Sequence, residues 1–153
     1  MKMVKRIPFY VIITIFAAAI GTLSPRPAAG QEVLQAEVDI KPETLNLKSK
    51  GNWITCFVGA PAGYTAEDIV GESVIISDIG GNTVNIKPVR YGIVEDDDEG
   101  DSDLMLKYSR PEVQNVMIEN SLKGKVDITV TGVLADTTPF AGIATIKVKP
   151  PKK

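Results

Sequence analysis

Apolar and polar side chains alternate with a period of two residues along most of this chain, and no other feature constrains the fold more. The stretches "VLQAEVDIK", "WITCFV", "DLMLKYS" and "KVDITVTGVL" all show the alternation, and many of their apolar residues are β-branched. Successive side chains of a β-strand point to opposite faces of the sheet, so the pattern predicts strands with one buried face. In the first stretch that face consists of Leu34, Ala36, Val38 and Ile40.

Residues typical of turns separate the predicted strands. Gly80, Gly81 and Asn82 predict a hairpin turn, and "ADTTP" predicts a second hairpin near the C-terminus. Pro88 has no backbone N–H to donate, so the strand that contains it should be an edge strand or carry a bulge. Thr65 is predicted to N-cap a single helical turn over residues 66–69.

One segment, "SRPEVQNVMIENSLKG", has a helical pattern. Ser109 is the predicted N-cap, Pro111 lies in the first turn, and Val113, Val116 and Met117 recur at helical spacing.

Many short strands, turn residues between them and one short helix together predict the fold class. We expect an all-β protein, an antiparallel β-sandwich of the immunoglobulin-like or Greek-key type with one short helix. Residues 31–150 have the usual size of one domain, and residues 151–153 are expected to form a disordered tail.

Residues 1–30 have the three parts of an export signal. Three basic residues (Lys2, Lys5 and Arg6) precede an apolar run over 9–20, and small residues follow up to a predicted cleavage site after Gly30. The alternative is an uncleaved N-terminal anchor over residues 7–23. The signal predicts a protein that is secreted, periplasmic or on the cell surface, without stable membrane insertion once the signal is cleaved.

Charge and composition exclude several functions. Removing residues 1–30 takes away four basic residues and no acidic ones, which leaves 13 basic and 19 acidic side chains and a net charge of −6. Such a surface repels nucleic acid, so we expect no nucleic-acid partner. Histidine is absent, and with it the commonest general base and transition-metal ligand. Cys56 is the only cysteine, so no internal disulfide forms.

Seven carboxylates crowd into nine positions between two predicted strands. They are Glu95, Asp96, Asp97, Asp98, Glu99, Asp101 and Asp103.

Three stretches of the chain resemble one module of secreted and surface proteins of bacteria and archaea. They are "VDIKPETLNLKSKG" (38–51), "DLMLKYSRPEVQ" (103–114) and "GKVDITVTGVLADTTPFAGIATIKV" (124–148). The module's members are largely uncharacterised, so the resemblance implies the fold and the exported location but no activity. Its members carry an Asp-rich loop before the strand that corresponds to 103–109.

Aligned on that loop, the chain places Glu95, Asp97, Glu99, Gly100 and Asp103 at positions 1, 3, 5, 6 and 9 of an EF-hand type calcium loop. With Asp101 added, the predicted metal ligands are Glu95, Asp97, Glu99, Asp101 and Asp103, and the predicted cofactor is a weakly bound Ca²⁺. Position 12 is Leu106 instead of the usual glutamate. The alternative is a solvated acidic hairpin tip that protects an exposed end of the sheet and keeps the protein soluble.

Other candidate residues favour structural roles. Cys56 shares a face with Ile54 and Val58, which predicts a buried, unreactive thiol. Four aromatic residues could offer rings to a sugar: Trp53, Tyr64, Tyr91 and Tyr108. Trp53 and Phe57 share a face, which favours packing over a binding platform.

The acids outside the loop occur singly on outward strand faces, so no carboxylate pair predicts an enzyme. We therefore expect a non-catalytic structural or binding module whose partner is a protein or a polysaccharide. The alternative is a carbohydrate- or surface-binding module that uses exposed aromatic residues.

Overall fold

The computed structural model describes residues 32–95 and 101–151. The predicted signal peptide, residues 96–100 and the end of the predicted tail lie outside these residues. The described residues from Val33 onwards form one compact unit. This unit is an all-β sandwich of two packed sheets with one α-helix and two short 3₁₀ turns, so the predicted fold class is confirmed.

The strands follow the predicted alternation. In chain order they are β1 (Leu34–Gln35), β2 (Glu37–Lys41), β3 (Thr44–Asn46), β4 (Trp53–Gly59), β5 (Ile75–Ile79), β6 (Asn82–Ile86), β7 (Arg90–Glu95), β8 (Ser102–Ser109), β9 (Gly124–Val133) and β10 (Pro139–Lys149). The helix α1 (Arg110–Glu119) lies between β8 and β9.

The strands form two sheets that we call sheet A and sheet B. Sheet A has the order β1-β10-β9-β5-β6, with β3 also paired to β10, and sheet B has the order β2-β4-β8-β7. All of these pairings are antiparallel except those of β1 and β3, which run parallel to β10.

The first predicted strand divides between the two sheets. β1 pairs with β10 in sheet A, whereas β2 pairs with β4 in sheet B. Ala36 stands between them, is 2% exposed, and donates its backbone N–H to the carbonyl of Ala141 over 2.9 Å. A small apolar residue at this point lets the chain cross from one layer to the other while it stays in the core.

The core lies between the sheets and consists of the faces that the alternation predicts. Ile54, Cys56, Val58 and Leu106 are fully buried from sheet B, and Ile76, Ile128 and Val130 from sheet A. Each such aliphatic side chain contributes about 1.5–3 kcal/mol by leaving water. A register shift between Ile76 and Asp78 keeps both Ile76 and Ile79 on the buried face, although their spacing is odd.

One buried hydrogen bond joins the two layers. Tyr108 on β8 donates its hydroxyl to the backbone carbonyl of Val74 over 2.9 Å, and both residues are fully buried. Burial raises the pKa of Tyr108 far above its ordinary value, so the hydroxyl stays protonated as the bond requires.

The helix begins where the sequence predicts. Ser109 is its N-cap and accepts a hydrogen bond from the backbone N–H of Glu112. Val113 and Met117 are fully buried in the core, and Val116 packs against it.

Two polar side chains fasten this helix to the segment between β3 and β4. Arg110 donates from Nε to the carbonyl of Trp53 over 3.1 Å and from Nη1 to Oγ of Ser49 over 2.9 Å. Gln114 is 7% exposed and donates from Nε2 to the carbonyls of Asn46 and Ser49, both over 3.2 Å. These bonds give three backbone carbonyls of this region a donor from the helix and tie α1 to it.

The predicted turns form with one difference. Thr65 caps a single 3₁₀ turn over Ala66–Asp68, and its backbone N–H donates to Oδ2 of Asp68 over 2.8 Å. The hairpin turn between β5 and β6 is also confirmed, with Gly80 and Gly81 both at positive φ. Pro88, however, lies between strands: β6 before it is an edge of sheet A, and β7 after it is an edge of sheet B.

Candidate functional site

The acidic segment joins two neighbouring strands at one end of sheet B. β7 ends at Glu95 and β8 begins at Ser102, and these two residues are register partners in an antiparallel pair. The opposite end of β8 leads directly into α1. β7 and β8 therefore form a hairpin, as both the calcium and the solvated-tip interpretations assume.

The structure places three of the five predicted calcium ligands. Glu95 and Asp101 are exposed, and Asp103 is partly buried on β8. Asp103 pairs with Val94, and cross-strand partners share a face, so Asp103 and Glu95 point to opposite faces of the sheet. Asp97 and Glu99 lie outside the described residues. Within 32–95 and 101–151 no three acidic or cysteine side chains gather as a metal ligand set.

Asp103 belongs to a row of residues that crosses sheet B. Glu37 pairs with Gly59, and Gly59 pairs with Asp103. A Cβ placed on Gly59 would lie 3.5 Å from Oδ1 of Asp103 and 3.7 Å from Cβ of Glu37, both ordinary contacts. Two carboxylates thus flank a glycine, which makes this end of the sheet face negative.

Three large side chains lie on the same side of sheet B as Asp103, the side that points away from the core. Trp53, Phe57 and Met105 are each partly buried, whereas Ile54 and Cys56, which alternate with them, are fully buried. We call the surface formed by Trp53, Phe57 and Met105 the outer face. Trp53 and Phe57 are four residues apart on β4, so at about 3.3 Å per residue their Cα atoms are about 13 Å apart.

A row with three basic residues crosses the outer face between Trp53 and the pair of Phe57 and Met105. Lys41, Thr55, Lys107 and Arg90 make one cross-strand row. The guanidinium of Arg90 lies 5.6 Å from the centroid of the Trp53 ring, within the range of a cation–π contact. Lys41 forms ion pairs with Asp39 at 3.5 Å and Glu43 at 2.6 Å, and the Glu43 hydrogen bond is the main reason that the pKa of Lys41 is raised.

The four aromatic residues considered as a sugar platform do not share one surface. Tyr108 is fully buried, so it offers no ring to a ligand. Tyr64 lies outside β4, in the segment that follows it, and donates its hydroxyl to Oδ2 of Asp136 over 2.7 Å. Tyr91 is 50% exposed on β7. Of this set, only Trp53 contributes its ring to the outer face.

Cys56 lies in the core, as the alternation predicts. It is fully buried. Burial, with a smaller contribution from the charge of Asp39, raises the pKa of the thiol to about 12. Because the thiolate is the nucleophilic form, this cysteine is unreactive at neutral pH.

One feature of this region was not predicted from the sequence: three alternate apolar side chains in β7 and just before it are exposed. Val89, Tyr91 and Ile93 are 56%, 50% and 45% exposed. The alternation of these three residues was visible in the sequence, but it resembled that of a strand with a buried face. The strand order shows why these side chains are exposed: β7 is the last strand of sheet B, so the core does not fully cover them.

Comparison with known proteins adds no identity. No protein-family model matches the chain, and no curated protein matches it. The resemblance to an exported module therefore stays a prediction. In residues 32–95 and 101–151, no helix has the length and apolar character needed to cross a membrane.

Proposed function

We propose that this chain is an exported, non-catalytic module that binds a surface protein or polysaccharide through the outer face of sheet B. The observation that carries the proposal is the grouping of Trp53, Phe57 and Met105 on one partly exposed sheet face. Aromatic and methionine side chains are enriched at the centres of binding surfaces.

The charges around the outer face support binding in one orientation. Lys107 and Arg90 lie in the row between Trp53 and Phe57, and Glu37 and Asp103 border the outer face at the end nearer the acidic segment. A partner with the opposite polarity would meet complementary charges in both places, and such charges contribute orientation and association rate more than affinity.

The chemistry of the described residues supports binding over catalysis. The nucleophile with the greatest intrinsic reactivity, Cys56, is buried with a raised pKa. The carboxylates whose pKa is shifted, Glu43 and Asp136, are both shifted downward by hydrogen bonds, so they stay ionised and make poor general acids at neutral pH.

Trp53 is the only tryptophan in the chain, so its fluorescence reports on the outer face alone. We would prepare polysaccharide and protein fractions separately from the envelope of the source organism and titrate each into residues 31–153. Binding at the outer face should change Trp53 emission saturably with one of the two fractions. Phe57→Ala should weaken that titration at least tenfold, the usual effect of losing a central aromatic contact.

The matched control is Ile143→Ala, because Ile143 is an exposed apolar residue on β10 in the other sheet. It should titrate like the unchanged protein. A saturable complex that Phe57→Ala leaves intact, or that Ile143→Ala weakens equally, would refute binding at the outer face.

A second candidate, carbohydrate binding through Trp53, is favoured by the spacing of the two aromatic residues along β4. Aromatic residues whose Cα atoms are about 13 Å apart on an extended strand can contact two separate units of one polymer chain. Retention on a polysaccharide column that survives a chelator but fails in Trp53→Ala would support it. Retention that Trp53→Ala leaves unchanged would exclude it.

A further inference from the structure

We propose that β7 pairs antiparallel with β7 of a second copy of this chain, which joins the two B sheets into one continuous sheet. Val89, Tyr91 and Ile93 carry the proposal, because half of the exposed large apolar side chains among the described residues stand at these alternate positions of one edge.

β7 is the last strand of sheet B. β8 pairs with one side of it, and within 32–95 and 101–151 no strand pairs with the other side. Backbone groups along such an edge are a template for another strand, and proteins usually protect them with charges, proline or a bulge. The central four residues of β7, "YGIV", contain none of these protecting residues.

A two-fold axis perpendicular to the sheet at Gly92 gives a register in which apolar residues meet. Cross-strand partners then lie on the same face, so Tyr91 of each copy stands opposite Ile93 of the other. Gly92 at the axis carries no side chain, so none stands between the two copies there. Tyr91 is held in place because its ring packs on Gly71, where any Cβ would collide with it. Less side-chain freedom is therefore lost on pairing.

The charges of this edge require the antiparallel direction. Lys87 and Arg90 lie at its start, and Glu95 lies at its end. Antiparallel pairing brings the basic start of each strand near the acidic end of the other, whereas parallel pairing would bring like charges together. This local complementarity acts against the repulsion between two chains that each carry a net charge of −6 after residue 30.

The expected dimer is weak because the edge is short. Six residues of each strand bury less than the roughly 1,200 Å² of a stable interface, which favours a Kd of about 10–100 μM. The outer face is not used in this pairing, so the inference does not depend on the proposed function.

Sedimentation velocity tests the proposal on residues 31–153, which contain every described strand and the helix of the compact unit. From about 5 μM to 1 mM, a range that spans the expected Kd, the protein should change from monomer to dimer. Ile93→Lys should raise the Kd at least tenfold. The matched control is Ile143→Lys, since Ile143 is 42% exposed on β10, an interior strand of sheet A, and it should leave the Kd unchanged.

A charge exchange adds a test that a folding defect cannot mimic. Glu95→Lys should weaken the dimer and make it less sensitive to salt, and adding Lys87→Glu should restore most of the affinity. A protein that stays monomeric at 1 mM, a control variant that weakens the dimer as much as Ile93→Lys, or a double variant that is not restored would each overturn the proposal.

Discussion

Replacing Tyr108 with phenylalanine should measure the hydrogen bond that links the two sheets. The change removes one oxygen and keeps the ring, so packing around β8 stays the same. The carbonyl of Val74 then loses a donor in a place where both residues are 0% exposed and water cannot replace it. A net hydrogen bond contributes about 1 kcal/mol and a buried acceptor left without its donor costs about 1 kcal/mol more, so we expect a loss of about 2 kcal/mol.

Thermal and urea unfolding of residues 31–153 give this number. At roughly 4 °C per kcal/mol for a domain of this size, Tyr108→Phe should lower the midpoint by about 8 °C. The urea dependence of the unfolding free energy should keep its slope, because the same surface becomes exposed on unfolding.

The matched control is Tyr64→Phe, which deletes the same atom from a hydrogen bond of 2.7 Å to Asp136 at the surface. Water can replace that bond, so this variant should lose less than about 0.5 kcal/mol. If Tyr108→Phe is as stable as the unchanged protein, or if the two variants lose equal free energy, the burial of this hydrogen bond does not determine its contribution.

Three further predictions concern single groups. Cys56 is buried and its pKa is raised to about 12, so it should react with a thiol reagent at pH 8 only as fast as the domain unfolds. Immediate stoichiometric labelling would instead show that the thiol is accessible in the folded protein. The pKa of Asp136 is lowered, chiefly by the Tyr64 hydrogen bond, so its contribution to stability is present above the ordinary value of 3.8 and is lost as pH falls through the lower folded value. The difference in melting temperature between the unchanged protein and Asp136→Asn should therefore be small and shrink below pH 3.8, and a difference that grows there would contradict this assignment. A weak calcium site would raise the free energy of unfolding by about 1.4 kcal/mol when free calcium is ten times its Kd. Asp97→Asn or Asp103→Asn should remove this increase. An unchanged midpoint of thermal unfolding at millimolar calcium would exclude the site.

Local signals in the sequence predicted the parts of the fold that depend on neighbouring residues. Ser109 caps the helix and Thr65 caps the 3₁₀ turn because the partner of each cap, Glu112 or Asp68, lies three residues further along the chain. The buried positions of β4 and β8 followed from alternation, since one side of each strand must meet the core.

Long-range partners decided what the sequence could not show. The crossing at Ala36, the parallel pairing of β3 with β10, and the passage of the chain to sheet B after Pro88 all depend on residues that are far away along the chain. The buried Gln114 was likewise not predicted, because its carbonyl partners belong to a segment more than 60 residues earlier. For the same reason, the sequence could not predict that Glu95 and Asp103 lie on opposite sheet faces.

Amide chemical-shift mapping can locate the binding surface and so test whether it is the outer face of sheet B. Isotope-labelled residues 31–153 would be titrated with the envelope fraction that changes Trp53 emission. We expect the largest shifts at Thr55, Phe57 and Met105 on β4 and β8. Shifts concentrated around Ile143 on sheet A, with β4 and β8 unchanged, would contradict it.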